Sequence, residues 1–289
     1  MFIEENIDKC YVKTVSEFDT IVISGGSIKG IAALGSLQYL YDNFLCEKIT
    51  NYVGTSVGSI ICYLLAIGYT PIEIIVYICT NHLIEKINSF NIVNMFNGTG
   101  ATSYTVINEH LEKMTIDKIG RLITLGELKR QFNKNLVCAT HNMTHNKTEY
   151  LDAENYSELP CLVAIRMSSN IPLLFEPFKY TGMYYLDGGL SDNFPLVKAQ
   201  ELGKKVIGIV IYGQEPIDNP TDKMTEYFFG LLSIMICKLT TYQIEKKNES
   251  SIIVNLHTGV SHSFEFSINA SNKLDLFSYG YQTMKDNII

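Results

Sequence analysis

Positive charge is scarce in this chain: 23 Lys and Arg stand against 30 Asp and Glu in 289 residues, a formal net charge of −7. Nucleic acid is therefore not an expected partner, because no basic excess exists to neutralise phosphates. The same balance gives no bulk attraction to anionic membranes, so peripheral membrane contact needs a local patch. The opening residues, Met1-Phe2-Ile3-Glu4-Glu5-Asn6-Ile7-Asp8-Lys9, lack the basic start and apolar stretch of a secretory signal. The seven cysteines are odd in number and scattered, and several lie in apolar runs, so reduced, buried thiols in a cytoplasmic protein are the expectation. A membrane-spanning run is also missing. The one candidate, Val57 to Cys79, is interrupted by Gly68-Tyr69-Thr70-Pro71 and Glu73 and reads as two buried helices. Internal repeats, low-complexity segments and a calcium loop of the Asp-x-Asp-x-Asp-Gly type are absent as well. With 46% hydrophobic residues, the chain has the make-up and length of one large globular domain.

What the sequence does contain is three glycine-bearing turns in a fixed order. Asn51-Tyr52-Val53-Gly54-Thr55-Ser56-Val57-Gly58 is a β-prone segment, a tight turn and the start of an apolar helix, the pattern Gly-x-Ser-x-Gly. A serine in such a strained turn needs glycines at Gly54 and Gly58 to remove clashing side chains. Its hydroxyl then stands at a helix N-terminus, where free N–H groups favour developing negative charge. Upstream, the β-branched Thr20-Ile21-Val22-Ile23-Ser24 runs into Gly25-Gly26-Ser27-Ile28-Lys29-Gly30 and a helix, a turn that can present backbone N–H groups to an anion. Downstream, Asp187-Gly188-Gly189 ends a strand, and its glycines let another segment or a substrate approach the carboxylate closely.

These three stretches, with Asn193-x-Pro195 and the segment Ala164-Ile165-Arg166-Met167-Ser168-Ser169-Asn170-Ile171-Pro172, resemble the patatin-like phospholipase family over roughly Ile21 to Pro195. The resemblance implies an α/β fold, a three-layer α/β/α sandwich with a mainly parallel central sheet. It also implies hydrolysis of acyl esters of phospholipids, lysophospholipids or other lipids by a Ser-Asp dyad. Carried onto this chain, Ser56 is the nucleophile, Asp187 the base, and Gly25, Gly26 and Ser27 form the oxyanion hole. Such a dyad needs no cofactor or metal. One departure stands out: Ser27 occupies a position where the family usually has a third glycine, and a left-handed backbone there would strain a serine. Two rival readings follow. A non-catalytic lipid-binding or partner-binding protein could keep the fold. A nucleotide-binding loop at Gly25 to Gly30 fits neither Gly-x-Gly-x-x-Gly nor the Walker spacing.

Taken in order, residues 1–18 form an N-terminal extension, 19–212 the patatin-like core, and 213–289 helices and a strand that complete the same domain. Strands near 20–24 and 49–53, each followed by a helix (28–43 and 57–67), predict βα units with ligands at the carboxyl ends of the strands. Residues 81–124, including an amphipathic helix from Tyr104 to Lys113, carry no readable chemical motif and read as packing helices, with lining of an acyl pocket as the alternative. Asn135–His141 and Lys147–Asp152 read as strands joined by a polar turn, and His141 and His145, which align only on a helix, are not expected to bind metal. Pro160–Ser169 reads as a helix and Lys205–Tyr212 as a doubly covered strand. Met224–Thr241 reads as a core or partner-facing helix, with a lipid-facing role as the alternative. A strand at 251–256 and a helix near 273–287 close the chain. Lys29 reads as a first-turn surface lysine, and Asp192 is the alternative carboxylate to Asp187.

Overall fold

A computed structural model describes residues 17–87, 91–212, 224–258 and 270–288. Most of the expected N-terminal extension lies outside the described residues. Four β-branched or short apolar segments build the centre of the sheet: β1 (Thr20–Ile23), β2 (Asn51–Thr55), β3 (Asn135–Asn142) and β7 (Val206–Tyr212). β8 (Ser251–His257) extends it in the same direction beyond β7. On the other side, β4 (Lys147–Leu151), β5 (Phe178–Tyr180) and β6 (Met183–Asp187) pair antiparallel. The sheet order is β5-β6-β3-β2-β1-β7-β8, with β4 pairing β3 off this path.

Because successive strand residues point to opposite faces, each central strand feeds two cores. Ile21, Ile23, Ile207 and Ile209 face the larger one, filled by α1 (Gly30–Asp42), α2 (Val57–Ala66), α3 (Pro71–Thr80) and α8 (Cys161–Ser168). Val22, Val53, Val137 and Val210 face the smaller one, closed by Phe194 and by α9 (Leu196–Leu202). Helices thus cover both faces of a mainly parallel sheet, the three-layer arrangement expected.

The apolar run after Ser56 is two helices, as its breakers require. Thr70 caps α3 in a reciprocal capping box with Glu73, Pro71 occupies the first turn, and α2 and α3 meet at 118°. Among the described residues no single helix is long and apolar enough to cross a membrane. Between α3 and β3 the chain forms α4 (Leu83–Ile87), α5 (Ile92–Phe96), α6 (Thr105–Ile119) and α7 (Leu125–Phe132), α6 being longer than its sequence pattern predicts.

Two further helices follow, α10 (Met224–Ile244) and α11 (Ala270–Ile288). α11 crosses α1 at backbone contact distance. Ser36 donates from its hydroxyl to the Gly280 carbonyl at 2.8 Å, and a Cβ at Gly280 would stand 1.8 Å from the Ala32 carbonyl oxygen. Since that neighbour is backbone, it cannot yield without separating the helices. Gly280→Ala is therefore expected to destabilise the fold by about 2 kcal/mol or more, the upper part of the range for overpacking, read as a lower urea midpoint. An unchanged midpoint would show that the α1–α11 contact is dispensable.

Candidate active site

The register of β3 brings the two key segments together. β2 runs beside Asn135–Ala139, with Thr55 opposite Ala139. β6 runs the other way beside Thr140–Asn142, with Asp187 opposite Thr140. β4 occupies the other edge of β3 throughout Cys138–Asn142, so β2 and β6 share one edge and meet end to end. Ser56, the residue after Thr55, and Asp187, the last residue of β6, are brought side by side across 131 positions of sequence.

The turn at Ser56 is strained. Its φ of 55° and ψ of −126° lie where a residue with a side chain is rarely found. Close approach fixes it: a Cβ at Gly54 would stand 2.5 Å from the backbone of Gly58 and Ser59, and one at Gly58 would stand 2.3 Å from the Ile23 carbonyl oxygen. A hydroxyl relay fixes it further. Ser56 donates its N–H to Ser168 Oγ at 3.0 Å, and Ser168 donates to the Ala139 carbonyl at 2.6 Å. Ser168 lies in a segment the sequence singled out, but its relay is a tertiary contact that no local pattern announces.

Asp187 is 6% exposed. Its Oδ1 accepts the Gly189 N–H at 2.7 Å, and its own N–H donates to the Asn170 carbonyl at 2.9 Å. Oδ2 is buried without a hydrogen bond of ordinary geometry. Burial raises the carboxyl pKa to about 6, while the neighbouring Ser56 hydroxyl and the Gly189 N–H lower it. Asp192, the alternative carboxylate, is engaged elsewhere: its Oδ2 accepts the Tyr150 hydroxyl at 2.7 Å, and it lines neither cavity at Ser56.

The glycine-rich loop closes over the pair from β1. Gly25 donates its N–H to the Asn193 carbonyl at 3.1 Å, so that group is already engaged, and a Cβ there would meet Asn193 Oδ1 at 2.4 Å. Ser27 has a φ of 51°, the left-handed conformation that makes a serine costly, and its hydroxyl is buried without a partner. Lys29 is 1% exposed and lines the cavity beside Cys237, which corrects the expectation of a surface lysine: the loop turns inward before α1 begins.

Ser56 lies at the junction of two cavities. One, of about 80 Å³, is walled by the glycine loop, Asp187, Pro172 and the inner face of α10. The other, of about 150 Å³, is bounded almost entirely by aliphatic and aromatic side chains from α1, α2, α3, α4 and α6. Helices of the 81–124 region that read as plain packing thus form its walls through Leu83, Ile107, Leu111 and Met114. A larger depression of about 540 Å³ near Tyr41, Phe132 and Lys134 holds none of the motif residues. His141 lies on β3 and His145 in the turn after it, and among the described residues no group of three His, Cys, Asp or Glu side chains could hold a metal.

A lone arginine inside an otherwise apolar helix was the signal available for a further part of the site. Arg166 lies in α8 and donates to Asn170 Oδ1 at 2.7 Å and to the Glu176 carbonyl at 3.1 Å, with its guanidinium 4.1 Å from the Tyr104 ring centre. Asn170 in turn donates to the Tyr185 carbonyl at 2.8 Å and accepts the Asp187 N–H, which clamps the end of β6.

This architecture defines a class: three-layer α/β proteins that present a serine from a strand-to-helix turn at the carboxyl edge of the sheet, beside an apolar cavity. Within that class the chain belongs to the patatin-like phospholipase family, whose model matches residues 21–199. It is 34% identical over 185 residues to the probable lipid hydrolase 463L of Invertebrate iridescent virus 6, an alignment that spans 62% of each chain. It is 27% identical over 286 residues to the uncharacterized protein R571 of Acanthamoeba polyphaga mimivirus, spanning 95% of each. Among solved structures, VipD from Legionella pneumophila superposes with a TM-score of 0.57 at 17% identity, covering 94% of this chain and 67% of that one, a likeness of fold.

The strain at Ser27 gives a direct test. Glycine removes both the left-handed penalty and the unpartnered buried hydroxyl, against the added flexibility of its unfolded chain. Ser27→Gly is expected to raise stability by about 1 kcal/mol in urea denaturation. A fall in the midpoint would mean that the Ser27 hydroxyl contributes to the fold.

Proposed function

We propose that this protein hydrolyses carboxylic ester bonds of phospholipids or lysophospholipids through a Ser56–Asp187 dyad. The observation that carries the reading is the position of Ser56: strained, facing a buried carboxylate, and at the mouth of an apolar cavity. Ser56 Oγ attacks the ester carbonyl carbon as its proton passes to Asp187. The carbonyl oxygen becomes an oxyanion held by the N–H groups of Gly26 and Ser27 and by that of Val57, which lies in the first turn of α2 and has no helical acceptor. Gly25 supports this hole by fixing the loop to Asn193. The tetrahedral intermediate collapses, the C–O bond to the alcohol breaks, and Asp187 returns the proton to the departing oxygen. Water, deprotonated by Asp187, then attacks the acyl-serine, and Ser56 recovers its proton as the fatty acid leaves.

The apolar cavity gives the acyl chain a place. It is lined along α2 from Val57 to Leu64, a helical rise of about 10 Å, and along α6 from Ile107 to Met114. The smaller cavity beneath α10, with the Lys29 side chain in its wall, takes the rest of the lipid.

Ser56→Ala and Asp187→Asn are expected to leave folded proteins whose turnover of a phospholipid or a p-nitrophenyl ester falls by roughly three orders of magnitude or more, as for loss of an activated nucleophile or its base. Asparagine at 187 removes a charge that burial penalises, so that variant keeps its fold. Substantial turnover by either purified variant would sink the dyad, and lipid binding by the wild type without product release would favour the non-catalytic reading.

The pH dependence follows from the raised pKa. The base must be ionised, and Asp187 loses its charge as pH falls through about 6. The wild-type kcat/KM is expected to reach a plateau above that value and to drop about tenfold per unit below it. An acid limb near the ordinary carboxylate range, well under 5, would contradict Asp187 as the base in its buried state.

A further inference from the structure

Helix α10 turns opposite sides to two different surroundings. Leu232 and Thr240 are buried and, with Ser233, Ile236 and Cys237, form a wall of the cavity that holds Ser56 and Asp187. On the other side Tyr227, Leu231, Ile234, Met235 and Tyr242 are 43%, 44%, 52%, 53% and 57% exposed. At about 100° per residue these five fall within a stripe roughly 100° wide, opposite the cavity wall. The stripe runs over about 22 Å of helix. Single exposed apolar side chains are ordinary, but five aligned along one helix leave an exposed apolar strip, broken by Lys238.

Lysines lie within the stripe and just beyond its C-terminal end. Lys238 is exposed within it, the Lys246 ammonium lies 4.1 Å from the Tyr242 ring centre, and Lys247 follows, with the exposed Glu245 and Glu249 flanking that lysine pair. Tyrosines stand at both ends of the aliphatic part. Aliphatic side chains between tyrosines, with lysines beside them, suit the boundary between headgroups and acyl chains of a lipid surface.

We propose that the outer stripe of α10 is the surface through which this protein docks on an anionic lipid surface, lying along it rather than crossing it. The inference rests on the lipid-hydrolase reading above for its substrate, and it adds the route by which substrate arrives. One helix has the docking stripe on one side and the cavity wall on the other. Docking therefore sets the cavity within one helix diameter, about 10 Å, of the lipid headgroups. The local lysines matter because the net charge of −7 would otherwise repel an anionic surface. A second copy of the chain is the competing occupant, but two stripes facing each other would bring like-charged lysine ends or aliphatic and lysine ends into contact, whereas anionic headgroups satisfy both.

The chain has no tryptophan, so one can be introduced as a unique reporter. Met235→Trp is expected to show a blue shift of its fluorescence when vesicles of phosphatidylcholine and phosphatidylserine are added, and no shift would overturn the proposal. In parallel, Leu231→Glu/Ile234→Glu is expected to bind the same vesicles roughly a hundredfold more weakly in co-sedimentation, about tenfold per lost aliphatic contact. Because neither residue lines the cavity, its turnover of monomeric p-nitrophenyl butyrate is expected to match the wild type. Vesicle binding at wild-type strength by the double variant would overturn the docking assignment. So would a wild-type dimer in sedimentation velocity that the two glutamates dissociate, since a second copy would then cover the stripe. Absence of butyrate hydrolysis by the wild type would count against the hydrolase reading alone, and the vesicle measurements would still decide the docking.

Discussion

A serine held in a left-handed turn is costly, on the order of 1–3 kcal/mol, and persists only where its surroundings over-determine it. At Ser56 that over-determination comes from three directions. Gly58 brings α2 against the carbonyl end of β1, Gly54 lets the strand close on the helix, and Ser168 holds the Ser56 N–H from α8. The direction of α2 follows from this turn, and with it the line along which Val57, Ile60, Ile61 and Leu64 border the apolar cavity. The geometry of Ser56 and the apolar cavity are thus consequences of one backbone constraint.

The carboxylate is placed by a different device. β6 enters antiparallel and ends where β2 ends, so the sheet itself sets Asp187 beside Ser56. What keeps the end of β6 from fraying is Asn170, which bonds backbone on both sides of Leu186 and is itself held by Arg166. The guanidinium is buried under Tyr104, Phe175 and Phe178, where it gains from aromatic faces as well as from hydrogen bonds. A buried arginine that bonds only neutral acceptors near Asp187, and keeps Glu176 for its outer nitrogen, can position the strand without sitting on the carboxylate.

The positions of most strands, the turns at Gly25, Ser56 and Asp187, and the break at Gly68 to Pro71 were legible because each depends on local chemistry: β-branching, glycine spacing and a proline-led cap. What was not legible depends on tertiary contact. Lys29 sits at a spacing that suits a surface helix turn, and only the inward path of Ser27–Lys29 buries it. The helices between Thr80 and Thr124 have ordinary amphipathic patterns, because a residue that lines a cavity and one that fills a core are equally apolar. The same ambiguity left the role of α10 open, though the helix itself was read. Its residues are apolar on both sides, for two unrelated reasons, so no single periodicity separates the cavity wall from the outer stripe.

The electrostatics of the site turn on what Asp187 lacks. Two neutral donors lower its pKa and burial raises it, and no cation is among the described groups that act on it. An adjacent ammonium or guanidinium would favour the carboxylate form and leave a weaker base. Lys29 lines the same cavity and acts electrostatically on Cys237. Asp192, five residues away, is also raised by burial but is tied to the Tyr150 hydroxyl. Two buried carboxylates five residues apart thus have different surroundings: Asp192 is tied to the Tyr150 hydroxyl, whereas Asp187 lies beside the Ser56 hydroxyl in the wall of the cavity.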